Sequence, residues 1–398
     1  LTIPSSSEAD FQKWKSSHFL FGGQIVKKIA IAATTLALVA STITLAPAAN
    51  ANTRAENARY GLACATSGQV AAKRGADGSD LICKVAPQGS FKGKRIWQYA
   101  KWPTLKGMDV LVPAGAGGGY DTTARRFMES MKAEGVLQSD ATYRNLPGAG
   151  GTTGLSSFLN NDSGKAGKML VMGFALVGGV QSTKVSFKNS DTVAAARLMG
   201  EYEVVVVPAN SPYKTLADLV KDIKAKKTAL PIAGGNLGGI DHYTAVQMYE
   251  SIGLSIKDLN YIVYSGGAQV TTALLNGTAK AGISGWGEFQ SQVAAGTLRL
   301  LGISSAKKVT GIPTDTFKSQ GVDMVSVNWR GFMLPKGTSV ADRNLVIRAL
   351  DVTRNGQAWK DNLKKYVWSN NWLAGDAYNT WLQGEEAKIK KLYTDLGL

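Results

Sequence analysis

At 398 residues the chain is too long for one ordinary domain and calls for two or three. Its formal charge of +16 favours anionic partners. The lysines are scattered, as in Lys221, Lys224, Lys226 and Lys227, without the arginine and aromatic clustering that nucleic acid favours, so nucleic acid is excluded as a partner. With two histidines and two cysteines there is no ligand cluster for a metal, and no cofactor is expected.

The first element is a leader. Lys27 and Lys28 precede an apolar run from Ile29 to Leu45, and the run ends in small residues with Ala49-Asn50-Ala51. These are the three parts of a secretory signal, so residues 1–51 read as leader and signal peptide, cleaved after Ala51. The polar stretch before Val26 is oddly placed ahead of a signal and points to a start at Val26. An uncleaved anchor is the alternative, at the short limit for spanning a bilayer. The sequence shows no second membrane-length apolar run, so the chain is not itself a permease.

Residues 52–104 read as a separate small module with Trp97, Tyr99 and Trp102 at its aromatic end. In an oxidising compartment Cys64 and Cys83 form a disulfide, which is worth about 3 kcal/mol for a loop of roughly 20 residues in the chain-entropy model. Such a short, glycine-rich unit needs that staple. Gly61 stands where a lipobox wants an aliphatic residue, which argues against lipidation at Cys64.

From Met108 onward, apolar strand candidates alternate with amphipathic helices, the signature of α/β sheets covered on both faces. The strands expected are 108–112, 142–146, 169–173, 203–208, 231–234, 260–264, 279–284 and 299–304. Asp121 is placed to cap a helix with Ala124, Phe127, Met128 and Met131 on one face. Thr215 is placed to cap another, with Leu216, Leu219, Val220 and Ile223 at the same spacing.

Five strand candidates lead into glycine-bearing turns. They are Val112-Pro-Ala-Gly-Ala-Gly-Gly-Gly-Tyr-Asp121, Asn145-Leu-Pro-Gly-Ala-Gly-Gly-Thr152, Gly234-Gly-Asn-Leu-Gly-Gly-Ile-Asp-His242, Ser265-Gly-Gly-Ala268 and Ser284-Gly-Trp-Gly287. Backbone N–H groups beside a helix N-terminus suit anions. Tight turning is the other use of such glycines. The G-x-G-x-x-G spacing fails at Tyr120 and at Thr153, and no G-K-[ST] follows either of the first two loops, so these motifs argue against nucleotide binding.

In this order and spacing, the first two loops, Lys214-Thr-Leu-Ala-Asp-Leu219, Tyr264-Ser-Gly-Gly-Ala268 and Asn328-Trp-Arg-Gly331 resemble the substrate-binding proteins of tripartite tricarboxylate transporters, the TctC or Bug family, over about residues 106–398. The resemblance implies a two-domain, periplasmic-binding-protein-like α/β fold of type II character with a hinged ligand cleft. One domain would comprise 105–205 with 328–398 and the other 206–327, with the chain crossing near 204–208 and 325–335. It also implies capture of a small carboxylate, such as citrate or a related organic acid, in the periplasmic or extracytoplasmic space, and delivery to membrane permease subunits.

Carried over residue by residue, the resemblance nominates Gly117, Gly118, Gly119, Tyr120 and Asp121 from the first loop and Gly150, Gly151 and Thr152 from the second. From the opposing domain it nominates Gly238, Gly239, Asp241 and His242, with Tyr264 and Gly267 beside them. The negative charge of Asp121 makes it a helix cap more than an anion contact. Gly239 stands where many members carry a hydroxyl residue. Arg330, where tyrosine is commoner, has two readings: a bidentate partner for a second ligand carboxylate, or a salt bridge within the hinge.

Two rival functions remain. An exported hydrolase would have to use Ser265 with His242, the one histidine beyond the leader. An envelope-sensing or interaction protein would use residues 52–104, whose deletion should spare ligand binding if the chain is a transport receptor.

Overall fold

A computed structural model of the chain describes residues 53–264, 266–395 and 397. The leader, the signal with its Ala51 cleavage site, and Ser265 lie outside the described residues.

The described chain opens with a three-stranded antiparallel sheet, β1 (Val70–Ala71), β2 (Leu81–Val85) and β3 (Arg95–Tyr99). The disulfide Cys64–Cys83 is formed, with Cα atoms 5.8 Å apart. Tyr60, Trp97 and Tyr99 of this unit belong to one continuous core with the sheet that follows. Polar contacts bind it down as well. The Tyr99 hydroxyl donates to Asp351 Oδ2 at 2.7 Å, Arg348 pairs with Asp77 at 3.1 Å, and Ser90 N donates to Glu134 Oε2 at 2.8 Å.

The second sheet has six strands: β4 (Asp109–Val112), β5 (Thr142–Asn145), β6 (Lys168–Gly173), β7 (Val193–Glu201) and, from later in the chain, β13 (Asn328–Leu334) and β14 (Ser369–Ala374). Their order is β14-β7-β13-β6-β4-β5. Strands β5, β4 and β6 run parallel, and β13 pairs antiparallel with β6 and β7. Helices α1 (Gly119–Ala133), α2 (Thr152–Asn161) and α3 (Phe174–Thr183) follow β4, β5 and β6 in turn. Ala124, Phe127, Met128 and Met131 of α1 are buried, as their spacing predicts.

The third sheet holds β8 (Glu203–Pro208), β9 (Pro231–Gly234), β10 (Asn260–Val263), β11 (Ala281–Gly285) and β12 (Leu298–Ile303), in the order β10-β9-β11-β8-β12. Its helices are α4 (Leu216–Lys226), α5 (Ile240–Ser251), α6 (Gly267–Leu275) and α7 (Trp286–Ala294). Thr215 caps α4 as expected. Its hydroxyl accepts from Asp218 N at 3.2 Å, while the Asp218 carboxylate accepts from Thr215 N at 2.9 Å, a closed capping box. The chain then returns to the six-stranded sheet, whose last helices are α8 (Val340–Asn355), α9 (Gln357–Lys365) and α10 (Gly375–Asp395).

All eight expected strands are present within two residues at either end. Strand β7 was not expected. Its Val-Ala-Ala-Ala start has helical propensity, but the strand runs between β13 and β14 with both faces largely buried, and sheet context overrides the local preference. The first change of sheet falls at Tyr202, just ahead of the 204–208 stretch expected, which is instead the body of β8. Ser304 ties this crossing to the return. Its hydroxyl accepts from Glu203 N at 3.0 Å and donates to the Ser326 carbonyl at 2.7 Å.

Candidate functional site

Two glycine loops, one from each of the larger sheets, are framed in the same way. Beyond β4, Gly117 takes a left-handed conformation (φ 81°) and its N–H donates to Asp121 Oδ2 at 2.9 Å; Gly118 is then the N-cap of α1. Beyond β9, Gly238 does the same (φ 70°), its N–H donating to His242 Nδ1 at 2.9 Å, and Gly239 is the N-cap of α5. In both, a side chain four residues on holds the turn, so the positive end of each helix opens into the space beyond the strand ends.

These side chains are occupied in holding the loops. Asp121 also accepts from Arg125 Nε at 2.9 Å and from Asn145 Nδ2 at 3.0 Å. Burial works to raise its pKa, but Arg125, the Gly117 N–H and Asn145 outweigh it and hold the carboxyl below the usual range. Burial pushes the His242 imidazole down to about 4, which keeps it neutral and able to accept from Gly238. Its ring lies 4.5 Å from that of Tyr261, whose hydroxyl donates to the Gly235 carbonyl at 2.9 Å. Asp241 accepts from Gly235 N at 2.9 Å, so the 235–242 loop is braced at both ends. A hydrolytic role for His242 would have to sacrifice its bond to Gly238.

The two loops and the Gly148–Gly151 turn converge on a cavity of about 570 Å³, lined also by Tyr120, Ala175, Gly179, Leu237, Asn328, Arg330 and Tyr393. A methyl group on Gly179 would collide with the Gly150 carbonyl, so the α3 backbone presses directly on that turn. The Tyr120 hydroxyl accepts from Leu176 N at 3.0 Å and burial raises its pKa, so it stays neutral. A second cavity of about 480 Å³ adjoins the first through Gly119, Asn328 and Arg330 and is bordered by Gly117, Glu201, Asp241, Ser284 and Glu288. A larger hollow of about 670 Å³, lined by residues 208–213 and 274–277, lies at the other end of the third sheet, away from the carboxyl ends of its parallel strands where ligands of such sheets bind.

Of the residues nominated from sequence, the structure brings Gly119, Tyr120, Gly150, Gly151, Gly238, Gly239 and Arg330 around the first cavity, and Gly117 and Asp241 around the second. Gly118, Asp121, Thr152, His242, Tyr264 and Gly267 line neither. Thr152 Oγ1 donates to the Ala149 carbonyl at 2.8 Å, Tyr264 N to the Gly234 carbonyl at 2.8 Å, and Gly267 N to Glu288 Oε2 at 3.2 Å.

Arg330 is buried and pairs with Glu201, Nη2 to Oε2 at 3.2 Å, where β13 meets β7. Of the two readings for this arginine, the salt bridge is the one observed. Nη1 has only the Met199 sulfur at 3.9 Å, and Nε is buried without a partner.

Sequence reasoning missed Tyr393, Leu237, Asn328 and Glu201. The Tyr393 side chain fills the space where Gly238 would carry a Cβ, and Phe174 packs on Tyr243 at 5.2 Å, so α3 and α10 of one half touch the glycine loop and α5 of the other. No local signal marks Tyr393, which lies 155 residues beyond Gly238 near the end of α10.

Known proteins resemble the chain in sequence and in fold. A family described as the tripartite tricarboxylate transporter family receptor, TctC, matches residues 124–398. Among solved structures, a TctC solute binding protein from Polaromonas superposes with a TM-score of 0.61 at 23% identity, over 74% of this chain and 99% of that one. An R. palustris protein solved with adipate gives 0.59 at 17%, over 75% and 99%. MatC from Rhodopseudomonas palustris, solved with bound malate, gives 0.58 at 16%, over 72% and 98%.

Proposed function

The chain belongs to the tripartite tricarboxylate transporter receptor family, and from that premise we propose that it captures a small carboxylate between two domains and hands it to the membrane subunits of such a transporter. The family and the fold are those of solute-binding proteins rather than enzymes. The observation that carries the reading is the convergence of the α1 and α5 N-termini, each from a different sheet, with Arg330 on one cavity.

In this reading residues 105–205 with 328–398 form one domain, residues 206–327 the other, and the Tyr202 and Ser304–Asn328 crossings form the hinge. Backbone N–H groups at Gly119 and Gly150 hold the acid, with the N-terminal end of α5 facing it from the other sheet, each charge-assisted bond being worth about 1.5 to 3 kcal/mol. Solved relatives carry malate and adipate, so dicarboxylates of that size are the first ligands to test, with citrate beside them. Capture takes place outside the cytoplasmic membrane, after cleavage behind Ala51.

A thermal-shift screen of the chain from Asn52 against organic acids, with sugars and nucleotides as controls, tests this. A ligand at 100 times its Kd adds about 2.7 kcal/mol and raises Tm by several degrees. The expected result is a shift confined to one class of acid. A shift with an uncharged sugar and none with acids would refute the proposal.

A further inference from the structure

The first residue after the hinge crossing is a buried acid. Glu203 opens β8, is wholly shielded from solvent, and as a carboxylate would find no donor for either oxygen. Its backbone is committed to the hinge, since N–H donates to Ser304 Oγ at 3.0 Å and C=O accepts from Ser304 N at 2.9 Å. The charged and titratable groups facing its side chain are Asp241 from α5, Glu201 from β7, Arg330 from β13 and Tyr261 from β10. Arg330 is already spent on Glu201.

An ionised carboxylate without a partner in such a place costs several kcal/mol, and two carboxyls in contact cannot both ionise cheaply. Burial, then Asp241 and Glu201, hold the Glu203 carboxyl well above the usual range, and the Arg330 charge opposes them only in part. Burial raises Asp241 too, against the pull of the Gly235 N–H and Ser284, and the Glu288 carboxylate from α7 adds to the rise. As a neutral acid, Glu203 has an acceptor beside it in the Asp241 carboxylate.

We propose that Glu203 is a positioning residue for ligand capture that works in its protonated form, sharing one proton with Asp241 and so fixing the 235–242 loop to the hinge. The proposal rests on the carboxylate reading above. Asp241 carries the link, because it grips Gly235 at the start of the loop whose other end, at Gly238 and Gly239, lines the cavity. If the pair loses its proton, two adjacent negative charges push β8 and α5 apart, and an incoming carboxylate meets one more charge of its own sign. Capture therefore retains or takes up one proton at this pair.

The protonated pair is the binding form, so affinity is highest at low pH and falls as pH rises through the titration of the pair, by up to about tenfold per pH unit. Around the cleft, His242 is neutral above about pH 4, Asp121 stays ionised, and burial keeps Tyr120 and Tyr261 neutral. Adipate and malate are mostly ionised at about pH 6 and fully ionised above about pH 7, so the ligand's own titration adds little over most of the range.

The test is calorimetric titration of the chain with adipate and with malate from about pH 6 to 8.5, alongside infrared detection of protonated carboxyl groups. The wild type should show a protonated-carboxyl band at neutral pH, and Kd should rise about tenfold or more across the range. Glu203→Gln should lose the band and flatten the profile to less than twofold. Asp241→Asn should flatten it as well, which keeps the test open if one variant misfolds. A wild type without the band, or a Glu203→Gln variant that keeps the wild-type slope, overturns the proposal. A wild type with the band that binds no acid at any pH overturns the capture role through the carboxylate reading itself, and the band separates that failure from the others.

Discussion

A chain shortened to begin at Leu105 is expected to lose cooperative folding, so the deletion that the sequence reading expects to spare ligand binding would instead cut into the main core. The small sheet is a wall of the main core. Tyr60 stacks on Tyr99 at 5.9 Å between centroids, and Tyr99 and Trp97 are buried with the α1 and α8 residues of the next sheet. Removing the unit would uncover a large apolar face, at about 1.5 to 3 kcal/mol for each large side chain returned to water.

It would also strand buried acids. Glu134 is 1% exposed and loses Ser90, while Asp351 is 2% exposed and keeps Arg354 but loses the Tyr99 hydroxyl. Together these losses rival the whole stability of a typical domain, about 5 to 15 kcal/mol. Urea unfolding of 105–398 against 53–398, followed by circular dichroism, checks this. A shortened chain with an unchanged midpoint would show that the unit is a passenger.

The second large effect is expected at Arg330. Replacing it by Met leaves Glu201 without its cation in a region that already holds Glu203 and Asp241. Breaking a buried pair by removing one partner costs about 3 to 5 kcal/mol, because the remaining charge stays buried. Glu201→Gln in the same chain should recover a good part of that loss, as the two residues share one interaction. Equilibrium unfolding of the two single variants and the double variant forms the cycle. A loss under about 1 kcal/mol for Arg330→Met, in the range of exposed ion pairs, would contradict the account of this pair.

What was legible in the sequence follows from what is local. Strands such as β6 and β8 announce themselves because a sheet buried on both faces needs a continuous apolar run, and Thr215 announces α4 because the capping box is a four-residue signal. The glycine loops were legible for the same reason, since a left-handed turn ahead of a helix requires the residue it uses. Strand β7 was hidden because its alanines favour a helix until β13 and β14 flank them. Tyr393 and Glu203 were hidden because their roles depend on distant neighbours, the Gly238 loop for one and the hinge with Asp241 for the other. Arg330 stood out as unusual, but its partner Glu201 lies 129 residues away across β7 and β13, and no spacing reveals that pair.

Hydrogen–deuterium exchange, measured with and without the acid that gives the largest thermal shift, tests the central claim most directly. An acid held by backbone N–H groups from two sheets should slow exchange together at 115–121, 148–152 and 235–242. Protection confined to one of the two sheets, or centred on the 208–213 hollow, would contradict capture between the glycine loops.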